Sequence, residues 1–177
     1  MLKRLPTIAA LVILVIVIAA GTAAAAKVTV VVTGGPLDIQ LPFSDQSLNG
    51  VTLDGTNQTT TGTLGETRIR DARGTGTGWY VTVSATDFEE ESDPGKTIPA
   101  GGFRVPVAPT VTVLSGFDGG IVADSGPLAA PGLTLLVSPN PNGRGRFSVT
   151  PDLELDVPAE TYIGTYASTI TETITSY

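Results

Sequence analysis

The sequence predicts an all-β protein, an antiparallel β-sandwich preceded by an N-terminal signal peptide. Three observations carry that expectation. Threonine occurs 26 times in 177 residues, and with the frequent valines it supplies the β-branched side chains that strands favour. Apolar and polar residues alternate along several short segments, the period-2 pattern of a half-buried strand. The 21 glycines and 13 prolines punctuate those segments, and beyond the leader no capped 3.6-residue period appears. Many short strands at such spacing imply a sandwich, with a closed barrel as the alternative.

Residues 1–26 read as targeting rather than fold. Lys3 and Arg4 give a positive start, Ile8 to Ala20 is an unbroken apolar run, and Ala23 to Ala26 supplies small residues before Lys27. This is the layout of a cleaved secretory signal peptide. An uncleaved membrane anchor competes with it, since Leu5 to Ala26 approaches the ~20 residues that span a bilayer. The chain has no cysteine to carry a lipoprotein anchor. With the leader removed, residues 27–177 form one domain without a transmembrane span, and such a chain buries about 70% of its unfolded surface.

Within that domain the elements follow in order. Residues 28–33 are β-branched and begin the expected strands. Leu37, Ile39 and Leu41 share one face, with Asp38 and Gln40 on the other. Strands are expected over 48–53, 67–71, 103–107, 110–114, 133–137 and 146–150. Trp79, Val81, Val83 and Ala85 alternate with Tyr80, Thr82, Ser84 and Thr86, and Leu153, Leu155 and Val157 alternate with Asp152, Glu154 and Asp156. Tyr166, Ile170 and Ile174 lie on one face of a long final strand, opposite Thr165, Thr169, Thr171 and Thr173. Turns are expected at Gly34-Gly35-Pro36, Asp54-Gly55, Gly74 to Gly78, Asp93-Pro94-Gly95, Gly119-Gly120 and Pro139 to Gly145.

Composition narrows the function. With neither histidine nor cysteine, disulfides, thiolate chemistry, Ser-His-Asp catalysis and histidine-ligated zinc are excluded. An exported chain without disulfides points to a bacterial or archaeal envelope. The net charge is −7, and it becomes −9 when Lys3 and Arg4 leave with the leader (8 basic against 17 acidic residues). That balance, without a basic run, argues against nucleic acid. Carboxylate pairs are the one catalytic resource left. The row Asp152, Glu154, Asp156 sits on a solvated face, a poor place to raise a pKa, so no enzyme activity and no cofactor are expected.

Several residues stand out as candidates. Arg68, Arg70, Asp71 and Arg73 form the densest mixed-charge patch. Arg68 and Arg70 share a strand face and could hold a carboxylate of a polymer, or be a strand edge with surface ion pairs. Asp87, Glu89, Glu90, Glu91 and Asp93 make an acidic loop, a weak Ca²⁺ candidate through Asp87, Glu89, Glu91 and Asp93, without EF-hand spacing. Gly74, Gly76 and Gly78 lack the Lys-Ser/Thr of a phosphate loop and read as a β-loop. Asn57-Gln58-Thr59 is a formal glycosylation sequon. Trp79, the only tryptophan, either anchors the core with Val81 and Val83 or stacks on a sugar or partner.

Two stretches carry a resemblance. DARGTGTGWYVTVSAT (Asp71 to Thr86) and GRFSVTPDLELDVPAETYIGTYASTITETI, from Gly145, resemble the WxL-domain surface proteins of Gram-positive bacteria. VTLDGTNQT (Val51 to Thr59) and Pro99-Ala100-Gly101 before Phe103 are similar to that family too, so the likeness covers about residues 50–177. It implies an exported protein that attaches non-covalently to the cell wall, chiefly peptidoglycan. The first Trp-x-Leu motif stands here as Trp79-Tyr80-Val81. The second falls at Glu172-Thr173-Ile174, where glutamate replaces tryptophan. On that resemblance Trp79, Val81, Glu172 and Ile174 join Arg68, Arg70 and Arg73 as candidate binding residues. The expected partner is cell-wall glycan or another surface protein. The alternative is a subunit that self-associates into a surface fibre or layer by strand pairing, with Val28 to Val32 as a terminal strand.

Overall fold

The computed structural model describes residues 27–41, 44–117 and 119–177. The expected signal peptide and the competing anchor both lie at 1–26, outside the described residues. Two compact units divide the chain, Met1–Val31 and Val32–Tyr177. Of the first, only Lys27–Val31 is described, and these residues are exposed and lie in no strand. The expected strand at 28–33 is therefore absent. β-Branched composition is a propensity, and a strand also needs a neighbour to pair with.

The second unit is an antiparallel β-sandwich. No helix among the described residues is long and apolar enough to cross a membrane. Sheet A orders β1 (Leu37–Gln40), β3 (Thr67–Asp71), β12 (Arg144–Val149) and β8 (Thr112–Phe117). Sheet B orders β10 (Gly126–Pro127), β7 (Phe103–Val105), β13 (Asp152–Val157) and β2 (Gln58–Thr63). Sheet C orders β15 (Ile170–Ser176), β4 (Trp79–Ala85), β11 (Leu133–Ser138) and β9 (Val122–Ala123). Sheet D orders β14 (Tyr166–Ala167), β5 (Phe88–Glu90) and β6 (Asp93–Ile98).

Sheets A and B are halves of one bent layer. β2 runs on into β3 as β13 runs back into β12, so Thr63↔Asp152 in one sheet is followed by Thr67↔Val149 in the other, one residue out of step. The bend falls at Gly65, whose φ of 83° suits glycine, and at Pro151, which has no N–H to give a ladder. Leu64 N donates to Pro151 O at 2.9 Å and ties the two halves. Sheets C and D repeat the device. β4 and β5 run against β15 and β14, and the kink is closed by Thr169 N donating to Thr86 Oγ1 at 3.0 Å and Ser168 Oγ to Thr86 O at 2.6 Å. The expected long final strand is thus broken in two, with Tyr166 in the two-residue β14 apart from Ile170 and Ile174 in the seven-residue β15.

The layers meet through their apolar faces. Trp79 of sheet C packs on Phe147 of sheet A with ring centroids 6.0 Å apart, and Phe88 of sheet D meets Phe103 of sheet B edge-on at 4.9 Å. The alternations read from the sequence place Val81, Val83, Leu153, Leu155 and Val157 in this core. Other expectations shift. Residues 48–53 form no strand but lie along β2, with Asn49 N donating to Thr61 O at 2.8 Å and Gln58 Nε2 to Thr52 O at 2.9 Å. The expected strand at 103–107 stops at Val105, ahead of Pro106, and the one at 110–114 starts at Thr112 and extends to Phe117. Asp93-Pro94-Gly95 is not a turn; it opens β6, an edge strand on which a proline costs no ladder bond, and the turn falls at Glu91-Ser92.

Candidate functional site

Trp79 lies in β4, an interior strand of sheet C, and is fully buried. Its Nε1 donates to Gly143 O at 3.0 Å, so the indole's polar atom is satisfied inside the fold. Gly143 has φ 76°, and a Cβ there would overlap the Ser138 hydroxyl and approach Trp79 Nε1 to 2.8 Å. Val81 is buried beside the ring. Both side chains are buried, so of the two readings of Trp79 the core anchor holds, and the binding role that the resemblance suggested for Trp79 and Val81 does not.

Glu172 and Ile174 share the inner face of β15, and Ile174 packs against the core. Glu172 Oε1 accepts from Thr67 Oγ1 at 3.1 Å, across the sandwich on β3, while Oε2 is buried without a partner. Burial pushes this carboxyl above its ordinary range, only partly offset by the threonine. Glu172 is not a solvent-facing contact either. It faces inward at one end of the core, and among the described residues no second carboxylate sits against it to make a catalytic pair.

The acidic loop takes another form as well. It is the β5–β6 hairpin, whose alternation sends neighbouring acids to opposite sides. Glu90 is buried and its Oε2 accepts from Ser92 N at 3.1 Å and Ser92 Oγ at 2.8 Å. Asp87 Oδ1 accepts from Ala100 N at 2.7 Å, and Asp93 pairs with Lys96 at 3.3 Å. No group of three or more candidate ligands converges among the described residues, so Asp87, Glu89, Glu91 and Asp93 form no calcium site.

The arginines separate into two groups. Arg73 turns inward. Its Nη2 lies 2.8 Å from Asp71 Oδ2 and 2.9 Å from Gly78 O, and the Asp71 side chain has no exposed surface. Burial raises the Asp71 carboxyl, but the bonds from Arg73 outweigh it and hold the group below its ordinary value. This clasp closes the Gly74–Gly78 loop, which leads into β4 and not into a helix. Arg68 and Arg70 instead point out of β3, an interior strand rather than the edge expected. Glu66 pairs with Arg68 at 2.7 Å and Asp38 with Arg70.

The pairing of β3 with β12 adds two arginines that the sequence reading passed over. Arg146 stands directly opposite Arg70, and Arg144 lies two residues along the same outward face. Both are exposed, and among the described residues neither forms an ion pair. Ser148 lies opposite Arg68, and on β8 Thr112, Ser115 and Phe117 continue the rows. Two shallow grooves flank the Arg68–Ser148 pair. One, of about 430 Å³, runs past Thr110, Thr112 and Ser148; the other, of about 360 Å³, past Gln40, Gln46 and Arg68.

Beyond the bend, the same layer turns acidic. Asp152, Glu154 and Asp156 point out of β13, and Arg104 of β7 bridges Glu154 and Asp156. Arg104 holds the Asp156 carboxyl below its ordinary value, the opposite of what a general acid needs. One end of the layer therefore carries four outward arginines against Asp38 and Glu66, and the other is mainly carboxylate. No protein-family model and no curated protein matches the chain.

Proposed function

We propose that this is an exported, non-catalytic cell-surface protein that attaches non-covalently to the cell wall, or scaffolds other surface proteins there, through the outward face of sheet A. The observation that carries this reading is the grouping of Arg68, Arg70, Arg144 and Arg146 on the outward face of sheet A in a chain whose net charge is −7. Asp38 already pairs with Arg70, so the charge left open to an anionic partner is chiefly that of Arg144 and Arg146, which form no ion pair among the described residues. The resemblance to WxL-domain proteins supports the wall as that partner. Its two motif positions, 93 residues apart (172 − 79), fall on neighbouring strands here, with Ile174 opposite Val81 and Ser176 opposite Trp79. Co-sedimentation of the purified protein with Gram-positive sacculi tests the reading. Retention in the pellet that falls when Arg70 and Arg146 are both replaced by glutamine is expected; failure to pellet overturns it.

A second reading, a subunit assembled by strand pairing, is favoured by β8. Most other sheet-edge strands are only two residues long (β9, β10, β14), carry a charge or a proline (β1, β6), or turn a carboxylate inward (β15). β2 is covered by residues 48–53. β8 is six residues long and uncharged, with Val113, Leu114 and Phe117 exposed, and its one protection is a bulge at Leu114. Concentration-dependent assembly abolished by Leu114→Lys would establish this reading over the first.

A further inference from the structure

We propose that the arginine face of sheet A binds the phosphodiester groups of a polyanionic wall polymer, a polyol phosphate, rather than the carboxylates of peptidoglycan. The inference rests on the wall-attachment reading and names the chemistry of the partner.

Arg68, Arg144 and Arg146 are exposed on the outward side of sheet A, so a single small anion held there stays hydrated. Individual ion pairs at such a surface are weak, and useful affinity must come from several contacts made by one molecule. The arginines are spaced for that. Arg70 and Arg146 stand about 5 Å apart at Cβ across the ladder, and Arg144 and Arg146 about 7 Å apart along it. A ligand with one full charge every few bonds can meet adjacent guanidiniums in succession. Polyol phosphates have that density, whereas the carboxylates of peptidoglycan are separated by peptide and sugar.

The donor chemistry agrees. Each guanidinium presents a planar fork that fits the two free oxygens of a phosphodiester; those of Arg144 and Arg146 hold no carboxylate among the described residues, while that of Arg70 already holds Asp38. Exposed hydroxyls continue the rows at Thr112 and Ser115 on β8, as hydrogen-bond partners for the polyol. Asp38 and Glu66 are half-exposed counter-ions that the polymer replaces without opening the fold. The acidic end of the layer, at Asp152 to Asp156, repels the same chain and confines it to sheet A. A nucleic acid would share the phosphate chemistry, but it gains from stacking on aromatic rings. On these rows only Phe117 offers one.

The experiment measures binding of the purified protein to sacculi, to sacculi stripped of phosphodiester polymer by hydrofluoric acid, to poly(glycerol phosphate) and to oligo(dT). Stripping is expected to lower binding at least tenfold, and poly(glycerol phosphate) to bind more tightly than oligo(dT). If four phosphates are engaged, affinity falls about fifty-fold between 50 and 200 mM salt, and only about seven-fold for Arg144→Gln/Arg146→Gln. Arg144→Lys/Arg146→Lys keeps the charge but loses the forks, and is expected to keep the salt slope while binding more weakly. Circular dichroism confirms that each variant is folded. Equal binding to stripped sacculi overturns the phosphodiester inference and leaves wall attachment standing. Binding to none of the four overturns both. An unchanged salt slope in the glutamine variant, or tighter binding to oligo(dT), overturns the inference as stated.

Discussion

Replacing Trp79 tests whether the fold or a ligand requires its ring. A buried tryptophan removes about 150–250 Å² from water, which at about 25 cal/mol per Å² is worth about 4–6 kcal/mol. Trp79→Ala keeps the Cβ, gives up most of that burial and leaves a cavity against Phe147, a change that costs about 3–5 kcal/mol. It also strands the Gly143 carbonyl, for about 1 kcal/mol or more. The total, about 5 kcal/mol, is comparable with the whole stability of many domains, about 5–15 kcal/mol. Trp79→Phe separates the contributions, since it keeps much of the packing and loses the N–H; it is expected to cost about 1–3 kcal/mol. Urea unfolding followed by far-ultraviolet circular dichroism measures both, because the substitution removes the fluorescent reporter. The midpoint should shift with little change in slope. Trp79→Phe, once shown to be folded, should pellet with sacculi as the parent does. A loss below about 1 kcal/mol for Trp79→Ala, together with lost wall binding, would refute the placement of this ring in the core.

Glu172→Gln is expected to stabilise the protein near neutral pH. The folded carboxyl is raised above its unfolded value of 4.5, so the neutral form's contribution is complete below that value and is lost as pH rises through the folded pKa. Glutamine removes that loss, about 1–3 kcal/mol for a buried acceptor without a partner. Thermal melts from pH 4 to 8 should show variant and parent converging in acid; a pH-independent gap would contradict the assignment. Asp71→Asn has the opposite sign, because the folded carboxyl lies below its unfolded value of 3.8. The pair's contribution is present above that value and drains as pH falls through the folded pKa. Breaking the buried contact with Arg73 should cost about 3 kcal/mol at pH 7 by urea unfolding and much less at pH 2, and an equal loss at both would tell against the ion pair.

Where one face of a segment was buried, the sequence showed it. Alternation placed Trp79, Val81 and Val83 inward on β4, and Leu153, Leu155 and Val157 inward on β13, because the pleat allows one answer when apolar residues repeat at every second position. Segments ordered by side-chain hydrogen bonds or by a covering neighbour were harder. β2, with the sequence QTTTGT, has no apolar stripe and is defined by its pairing with β13. The β5–β6 hairpin was hidden by its own acids. The kinks at Gly65–Pro151 and Thr86–Thr169 were invisible because each depends on two segments distant in sequence. Val28 to Val32 erred the other way, having strand composition without a strand to pair with.

The candidate site divides along the same line. Arg68 and Arg70 could be placed on one face from their spacing alone, and that face is outward. Arg144-Gly145-Arg146 has the same spacing, but nothing local says that β12 lies beside β3 or that its register sets Arg146 against Arg70. A basic surface on an acidic protein is then a property of pairing rather than of any run of residues, and a net charge of −7 conceals it. The same reasoning inverts the part played by the two motif positions. Trp79, expected either in the core or as a stacking residue, and Glu172, expected as a binding contact, both point into the sandwich and govern stability: the ring by filling the core, the carboxyl by opposing it at high pH. On the proposed reading, recognition falls to residues that the core does not need. The four arginines can therefore be exchanged without the cavity that a change at Trp79 involves, and the proposed binding is expected to be separable from folding by mutation.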